Sequence, residues 1–91
     1  MICVIADNKY VFLFQVDGKK HLIDQTLSAL EIKLPENFIR VQKSFIVNKE
    51  KIREIHKHFN GRFIIIMDDK IQTRITTGLT FYSVIKETLG I

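Results

Sequence analysis

The first part of the chain alternates short apolar blocks with turn-forming residues. Met1–Ala6 and Lys9–Val16 are rich in aliphatic and aromatic residues, which is typical of β-strands. Asp7-Asn8-Lys9 separates the two blocks as a turn, and Asp17-Gly18 follows the second block. Asp-Gly favours a type I′ hairpin, because both residues tolerate a positive φ. The pattern therefore predicts a hairpin whose returning strand is Lys19–Ile23.

The apolar positions then change to helical spacing. Leu27, Leu30 and Leu34 recur three or four residues apart, and Asp24 and Thr26 can each cap the start of a helix. The proline that follows Leu34 has no N–H donor and restricts the residue before it, so it ends this helix.

Two further strand-like blocks, Phe38–Gln42 and Phe45–Asn48, flank a polar segment. The charged connector Lys49–Lys51 follows them, and it is short enough for a single helical turn or an irregular link. The polar segment interrupts what is otherwise a buried sequence, so it is the first candidate for a functional feature.

Ile52–Phe59 and Arg62–Met67 are predicted strands on either side of Asn60-Gly61, a second type I′ signal. Asp68-Asp69 indicates a third turn. Lys70–Ile75 alternates apolar and polar residues, which predicts a strand with one buried face.

The final segment, Thr80–Leu89, is predicted to be a helix capped at its C-terminal end by Gly90. Its apolar positions are expected to share one face: Phe81, Val84, Ile85 and Leu89. The sum is a mainly β chain of antiparallel strands with two short helices. Because the helices do not alternate regularly with the strands, the pattern argues against a parallel βαβ sheet.

The size of the chain indicates one domain, residues 1–91, because 91 residues with 46% hydrophobic residues can build one core but not two. The single cysteine, Cys3, lies in an apolar run, which favours a buried, inert thiol and excludes an internal disulfide. No apolar run approaches the roughly 20 residues that span a bilayer. The predicted location is therefore the cytoplasm, with no membrane partner.

The positive charge is concentrated in the middle of the chain. The net charge is +4, and Arg40–Arg62 contains seven Lys and Arg against two Glu. This distribution favours an anionic partner such as nucleic acid, although for a charge cluster taken alone a solvated cationic surface is the commoner explanation.

Catalytic and metal-binding patterns are weak. The adjacent carboxylates Asp68-Asp69 suit a turn better than acid–base chemistry, and His56 and His58 have no obvious third metal ligand. The sequence contains neither a Walker loop nor a GxGxxG motif. We therefore expect no enzyme activity, metal, cofactor or small-molecule substrate.

The polar segment between the two middle strands, Gln42-Lys43-Ser44, is called the knuckle. Phe38 and Phe45–Val47 anchor it in the core on both sides. Because an unpaired lysine is almost never buried, the three side chains are expected to project together. Lys43 suits guanine or a phosphate, Gln42 suits adenine, and Ser44 suits a phosphate. The alternative is a solvated loop.

The stretch FIRVQKSFIVNKEKI, residues 38–52, resembles the signature of the LytTR DNA-binding domain family, approximately FxRxHRSxIVNxxxI. The matching positions are Phe38, Arg40, Ser44, Ile46, Val47, Asn48 and Ile52. Gln42 and Lys43 stand where the family usually has His-Arg. Residues 8–11 with Asp17-Gly18, and the segment from Ile64 to Leu89, are also similar to the family's flanking segments.

The resemblance implies an elongated fold of antiparallel sheets that binds double-stranded DNA through loops in the major groove. Such domains are usually the output half of bacterial two-component response regulators, and they commonly bind repeated half-sites in pairs. This implies a homodimer on DNA. A full copy of the family domain usually has one more strand before the position of Met1. No receiver domain is predicted within residues 1–91, and the sequence leaves open whether the natural protein has one.

Three places are expected to face the bases by position in the family: Lys9-Tyr10, Lys43 and Gly78-Leu79-Thr80. Contacts with the DNA backbone are expected from Arg40, Ser44, Arg62 and Thr80, and the polar face of its strand adds Arg74. The full set of predicted DNA-binding residues is Lys9, Tyr10, Arg40, Gln42, Lys43, Ser44, Arg62, Arg74, Leu79 and Thr80.

Three of these positions, Gln42, Lys43 and Leu79, depart from the family pattern, and at two of them an arginine is replaced. Leu79 replaces a typical arginine and cannot make a bidentate contact with guanine, although it can touch a thymine methyl group. Lys43 replaces another arginine and keeps the charge but loses the planar fork. These departures leave an alternative open, in which the chain is a protein-interaction module that binds or inhibits another LytTR-type regulator.

Overall fold

The apolar blocks of the sequence form eight strands, as described by a computed structural model of residues 1–91. The strands are β1 Cys3–Asp7, β2 Tyr10–Phe14, β3 Lys20–Ile23, β4 Phe38–Gln42, β5 Phe45–Asn48, β6 Ile52–Lys57, β7 Phe63–Met67 and β8 Arg74–Thr76. The helices are α1 Leu27–Lys33 and α2 Tyr82–Leu89, and single 3₁₀ turns cover Lys49–Lys51 and Leu79–Phe81. Neither helix is long and apolar enough to cross a bilayer.

The strands form two sheets in which all neighbours are antiparallel. The larger sheet has five strands in the order β3-β2-β1-β5-β4, and the smaller has three in the order β6-β7-β8. The predicted class, mainly antiparallel β with two short helices, is confirmed.

The five-stranded sheet is covered on both faces, and the alternation along its strands decides which residue goes where. Cys3, Val41 and Val47 point into the larger core, between the two sheets and α2. Val4 and Ile46 point into the smaller core, under α1. A shift of one residue in the pairing would exchange the two faces, so burial on both sides fixes the register.

Both helices have a predicted cap, but the apolar face of α2 is narrower than expected. The Thr26 side chain accepts a hydrogen bond from the Ala29 amide at 3.1 Å and caps α1, while Gly90 caps α2 with φ of 68°. In α2, Ile85 is buried whereas Val84 is 46% exposed, so the predicted common face is wrong at Val84. The buried stripe follows positions four residues apart, and position 84 lies beside it.

The two Gly-containing hairpins differ. At Asn60-Gly61 both residues have the expected positive φ, 62° and 71°, but the His58 amide donates to the Arg62 carbonyl at 2.9 Å, so the loop has three residues rather than the two of a type I′ hairpin. At the other hairpin only Gly18 has positive φ, so the predicted type I′ turn is wrong. The Asp17 carboxylate accepts the Lys19 amide at 3.0 Å and favours a three-residue loop instead.

The predicted strand Lys70–Ile75 is wrong over most of its length. The Asp69 carboxylate accepts hydrogen bonds from both the amide and the hydroxyl of Thr73, and Gln72 adopts a positive φ of 50°. These local bonds compete with pairing in the sheet, so the turn that begins at Asp68-Asp69 continues through Gln72. As a result, Ile71 is 70% exposed, and β8 keeps only Arg74 and Ile75 of the predicted strand, together with Thr76.

The two sheets are joined through the segment that follows β8. The Gly78 amide donates to the carbonyl of Val41 at 3.0 Å, and the Thr77 amide donates to the carbonyl of Phe63 at 2.9 Å. Thr77 is fully buried, and its hydroxyl oxygen accepts the Phe63 amide at 2.8 Å. The approach to α2 is therefore fixed against both β4 and β7.

We expect Thr77→Val to lower the free energy of unfolding by about 1–3 kcal/mol, because it leaves the buried Phe63 amide without an acceptor. Thr76→Val is the matched control, since the Thr76 side chain is exposed. Urea unfolding measures both variants. Equal stability of the two would show that the Thr77 hydroxyl does not stabilise the junction.

We also expect the Cys3 thiol to be unreactive in the native protein. Cys3 is fully buried, and burial, with a smaller contribution from the charge of Asp69, raises the pKa of its thiol from 9.0 to about 12. Ellman's reagent at pH 8 should therefore label the native protein far more slowly than the chain in guanidinium. Equal rates would contradict the buried position.

Candidate nucleic-acid interface

The knuckle begins at a β-bulge. Arg40 pairs with Ile46 and Gln42 pairs with Phe45, so Val41 is an extra residue on β4. Val41 remains fully buried in the larger core. A bulge changes the face of the sheet to which the following side chains point. The Gln42 side chain therefore points towards the smaller sheet, whereas in a regular strand it would point to the opposite face.

Gln42 is consequently engaged inside the protein. Its Nε2 donates to the carbonyl oxygen of Thr76 at 3.0 Å, and its side chain lies against Gly78. The expectation that the three knuckle side chains project together is therefore wrong for Gln42. The bulge makes it a link between the sheets, and its contact with DNA stays a prediction.

Arg40 holds the knuckle from the other face of the sheet. Its Nη2 donates to the carbonyl oxygen of Lys43 at 2.6 Å, and its Nη1 lies 3.1 Å from the carboxylate of Glu31 on α1. The side chain is only 18% exposed, and Nε is buried without a partner. Arg40 therefore positions the backbone of the knuckle, while its charge is already paired.

Lys43 is the exposed residue of the knuckle, and it lies near the β1–β2 turn. The Ala6 amide donates to the carbonyl of Ser44 at 2.9 Å, which ties the knuckle to the end of β1. An open groove of about 400 Å³ is lined by both lysines, Lys9 and Lys43, together with Ser44. Neither lysine makes an ion pair, so both charges face solvent.

The third predicted place lies directly beside the knuckle. A Cβ on Gly78 would stand 3.6 Å from Cγ of Gln42, so the two segments are in contact. Leu79 is 50% exposed and Thr80 is exposed, both within the 3₁₀ turn before α2. Tyr10, at the start of β2, is also exposed. The knuckle thus borders both of the other segments: Lys43 shares a groove with Lys9, and Gln42 contacts Gly78.

The other two arginines among the predicted DNA-binding residues differ in their burial and in their contacts. Arg62 is half-buried and donates from Nη1 to the carbonyl of Thr77 at 3.2 Å. Arg74 is exposed on β8, where it pairs in register with Ile66. Neither makes an ion pair, and their contacts with DNA remain predictions.

Asn48 is a structural residue that the sequence signature contains without explaining. It is buried, its Oδ1 accepts from the side chain of Asn37 and the amide of Glu50, and its Nδ2 donates to the carbonyl of Met1, each at 3.0 Å. These bonds fix the start of the chain to the end of β5. A polar residue at the close of an apolar strand was the only signal for this role.

The two histidines that suggested a metal site serve other contacts. His56 lies 2.9 Å from the carboxylate of Glu54, and the His58 ring stacks on Phe59 at 4.2 Å between centroids. No group of three His, Cys, Asp or Glu residues has a geometry suited to a metal ion.

The geometry defines a small β domain whose loops present unpaired cations on one surface. The family model described as the LytTr DNA-binding domain matches residues 1–90. The chain belongs to this family.

Curated relatives and a solved structure agree. The chain is 39% identical to the sensory transduction protein LytT of Bacillus subtilis over 72 residues, covering 78% of the chain and 29% of that protein. It is 32% identical to LytT of Enterococcus faecalis, covering 97% of the chain and 36% of that protein. A solved LytTr DNA-binding domain of a response regulator from Bacillus cereus superposes with a TM-score of 0.88 at 24% identity, covering 99% of the chain and 81% of that domain. The chain spans about a third of the length of these curated relatives.

We expect Arg40→Lys to loosen the knuckle although the charge is retained, because an ammonium cannot bond both Glu31 and the Lys43 carbonyl with the geometry of a guanidinium. Backbone ¹⁵N order parameters at Lys43 and Ser44 should fall from about 0.85 towards 0.6.

The matched control for this change is Arg53→Lys. Arg53 is an exposed arginine whose ion pairs with Glu54 and Asp68 are long, at 3.8 and 3.7 Å. Unchanged order parameters in Arg40→Lys would show that Arg40 does not hold the knuckle.

Proposed function

We propose that this chain is the DNA-binding domain of a bacterial transcriptional regulator and that it reads the major groove through three clustered loops. These are the β1–β2 turn at Lys9-Tyr10, the knuckle at Lys43, and the segment Gly78-Leu79-Thr80. The observation that carries the proposal is the shared groove of Lys9 and Lys43, whose charges have no acidic partner in the protein. Unpaired lysines on a rigid scaffold attract phosphates and release counterions on binding.

The three loops differ in what they can recognise. Lys43 has a point charge that suits guanine O6 and N7 or a phosphate, and Ser44 suits a phosphate beside it. Leu79 offers an apolar surface to a thymine methyl group, and the hydroxyl of Thr80 suits the DNA backbone. Such a set supports affinity for phosphates more strongly than bidentate readout of bases.

The size of the domain supports binding to repeated half-sites. Its longest dimension is 32 Å, which is close to one turn of B-DNA at about 34–36 Å. With its long axis along the duplex, one copy would cover about one turn, and a longer site would take two copies. We include in the proposal that residues 1–91 form one domain, that two copies bind DNA as a pair, and that the domain acts in the bacterial cytoplasm without enzymatic activity.

We expect Lys43→Ala to weaken binding to a selected duplex by about tenfold, in line with roughly 1–3 kcal/mol for a base contact. The duplex is first selected by the native protein from a random library at low and physiological salt. Fluorescence anisotropy then measures the affinity of each variant and its dependence on salt.

The matched control is Lys70→Ala. Lys70 is an exposed lysine whose amide bonds to Val16 in the β2–β3 hairpin, at the opposite end of the larger sheet from the knuckle. Equal loss in both variants would show that the effect is only one of net charge. Failure of the native protein to bind any duplex at low salt, together with a stable complex with another LytTR-type regulator, would support the interaction module instead.

A further inference from the structure

A second groove lies beside the β6–β7 hairpin. It has a volume of about 210 Å³ and runs between that hairpin and α2. Three cationic side chains line it, Lys57 and Arg62 from the hairpin and Lys86 from α2. None of the eight lining side chains is acidic, and none of these three cations makes an ion pair. We call it the hairpin groove.

Two aromatic rings give the hairpin groove a rigid wall. Phe63 and Tyr82 stack with their centroids 5.5 Å apart and their planes 6° from parallel. The Lys86 ammonium lies 5.4 Å from the centroid of the Tyr82 ring. Arg62 is held by its bond to the carbonyl of Thr77, so one cation is fixed while the two lysines remain free to adjust. Cations on different sides of the groove can donate hydrogen bonds to different oxygens of one tetrahedral anion.

The hairpin groove continues the surface proposed above. A Cβ on Gly61, which lines the groove, would stand 3.5 Å from Cδ2 of Leu79. Leu79 follows Gly78, which contacts Gln42 at the base of the knuckle. A continuous path of contacts therefore leads from Lys43, through the segment before α2, to the hairpin groove.

We propose that the hairpin groove binds a phosphate group, and that this phosphate belongs to the backbone of the bound duplex on the far side of Leu79 from the knuckle. This inference rests on the proposed function and extends the protein surface that contacts DNA. Because Leu79 cannot bond a base edge, affinity at this end of the domain depends on phosphate contacts, which Lys57, Arg62 and Lys86 supply without reading sequence. Free phosphate is the other possible source of the same chemistry.

The test compares the double variant Lys57→Ala/Lys86→Ala with a control that removes Lys70 and Lys19, two lysines outside both grooves. Arg62 is left intact because it bonds the Thr77 carbonyl. The expected result is a loss of affinity on the order of tenfold at about 0.1 M salt, similar for selected and unrelated duplexes, and a salt slope reduced by about 2. Thermal unfolding checks that both variants remain folded.

Three other outcomes would overturn the inference. If the native protein binds duplex and Lys43→Ala weakens it, but the double variant behaves like the control, the groove does not contact DNA and the proposed function stands. If the double variant loses affinity for the selected duplex only, the groove reads bases rather than phosphates. Absence of any duplex binding by the native protein would remove both proposals together.

A separate NMR titration distinguishes a phosphate of the DNA backbone from free phosphate as the occupant of the hairpin groove. Inorganic phosphate is added to ¹⁵N-labelled native protein, and the amide signals of Gly61, Arg62 and Tyr82 are followed. Weak, non-saturating shifts with phosphate, and large shifts at the same amides with duplex, support the DNA backbone. Saturation below about 1 mM, together with unchanged duplex affinity in the double variant, would assign the groove to a free phosphate-containing ligand.

Discussion

The bulge at Val41 is the feature on which the proposed DNA-binding surface depends. A regular β4 would leave Gln42 unable to reach the smaller sheet, because successive residues of a strand point to opposite faces. With the extra residue, Val41 stays in the core and Gln42 bonds the carbonyl of Thr76. The same strand accepts the Gly78 amide, so one irregularity joins the knuckle to the segment before α2.

The polar residues in and beside the knuckle have two roles: Arg40 and Gln42 hold its backbone in place, and Lys43 projects from it. Arg40 and Gln42 bond carbonyl oxygens within the domain, and Arg40 has its charge balanced by Glu31. Lys43 is left with neither a hydrogen-bond partner on its ammonium nor an acid nearby. This division explains why a core segment contains two cations: Arg40 fixes the backbone of the knuckle, and the Lys43 side chain extends from that fixed backbone into solvent.

The distribution of cations has a consequence for recognition. The exposed cations of the first two proposed DNA-binding loops are the lysines Lys9 and Lys43 rather than arginines. The third loop has an aliphatic side chain, that of Leu79. Lysine contributes a mobile point charge, whereas a guanidinium fork fixes two acceptors at once. A domain of this composition is expected to gain much of its affinity from the phosphate backbone and to depend strongly on salt. Its discrimination between sequences then rests on few side chains.

The sequence by itself determined most of the local structure and the family. Apolar alternation, Thr26, the proline after Leu34 and Asn60-Gly61 act over a few neighbouring residues, so their effects are visible in the chain. The tertiary structure decided the rest: the bulge at Val41, the long turn after Asp68, and the contacts that place Leu79 beside both the knuckle and Gly61. The bulge and the contacts of Leu79 depend on residues distant in sequence, which no local pattern contains. The turn after Asp68 is local, but the alternation of residues 70–75 does not show that the bonds between Asp69 and Thr73 prevail over pairing in the sheet.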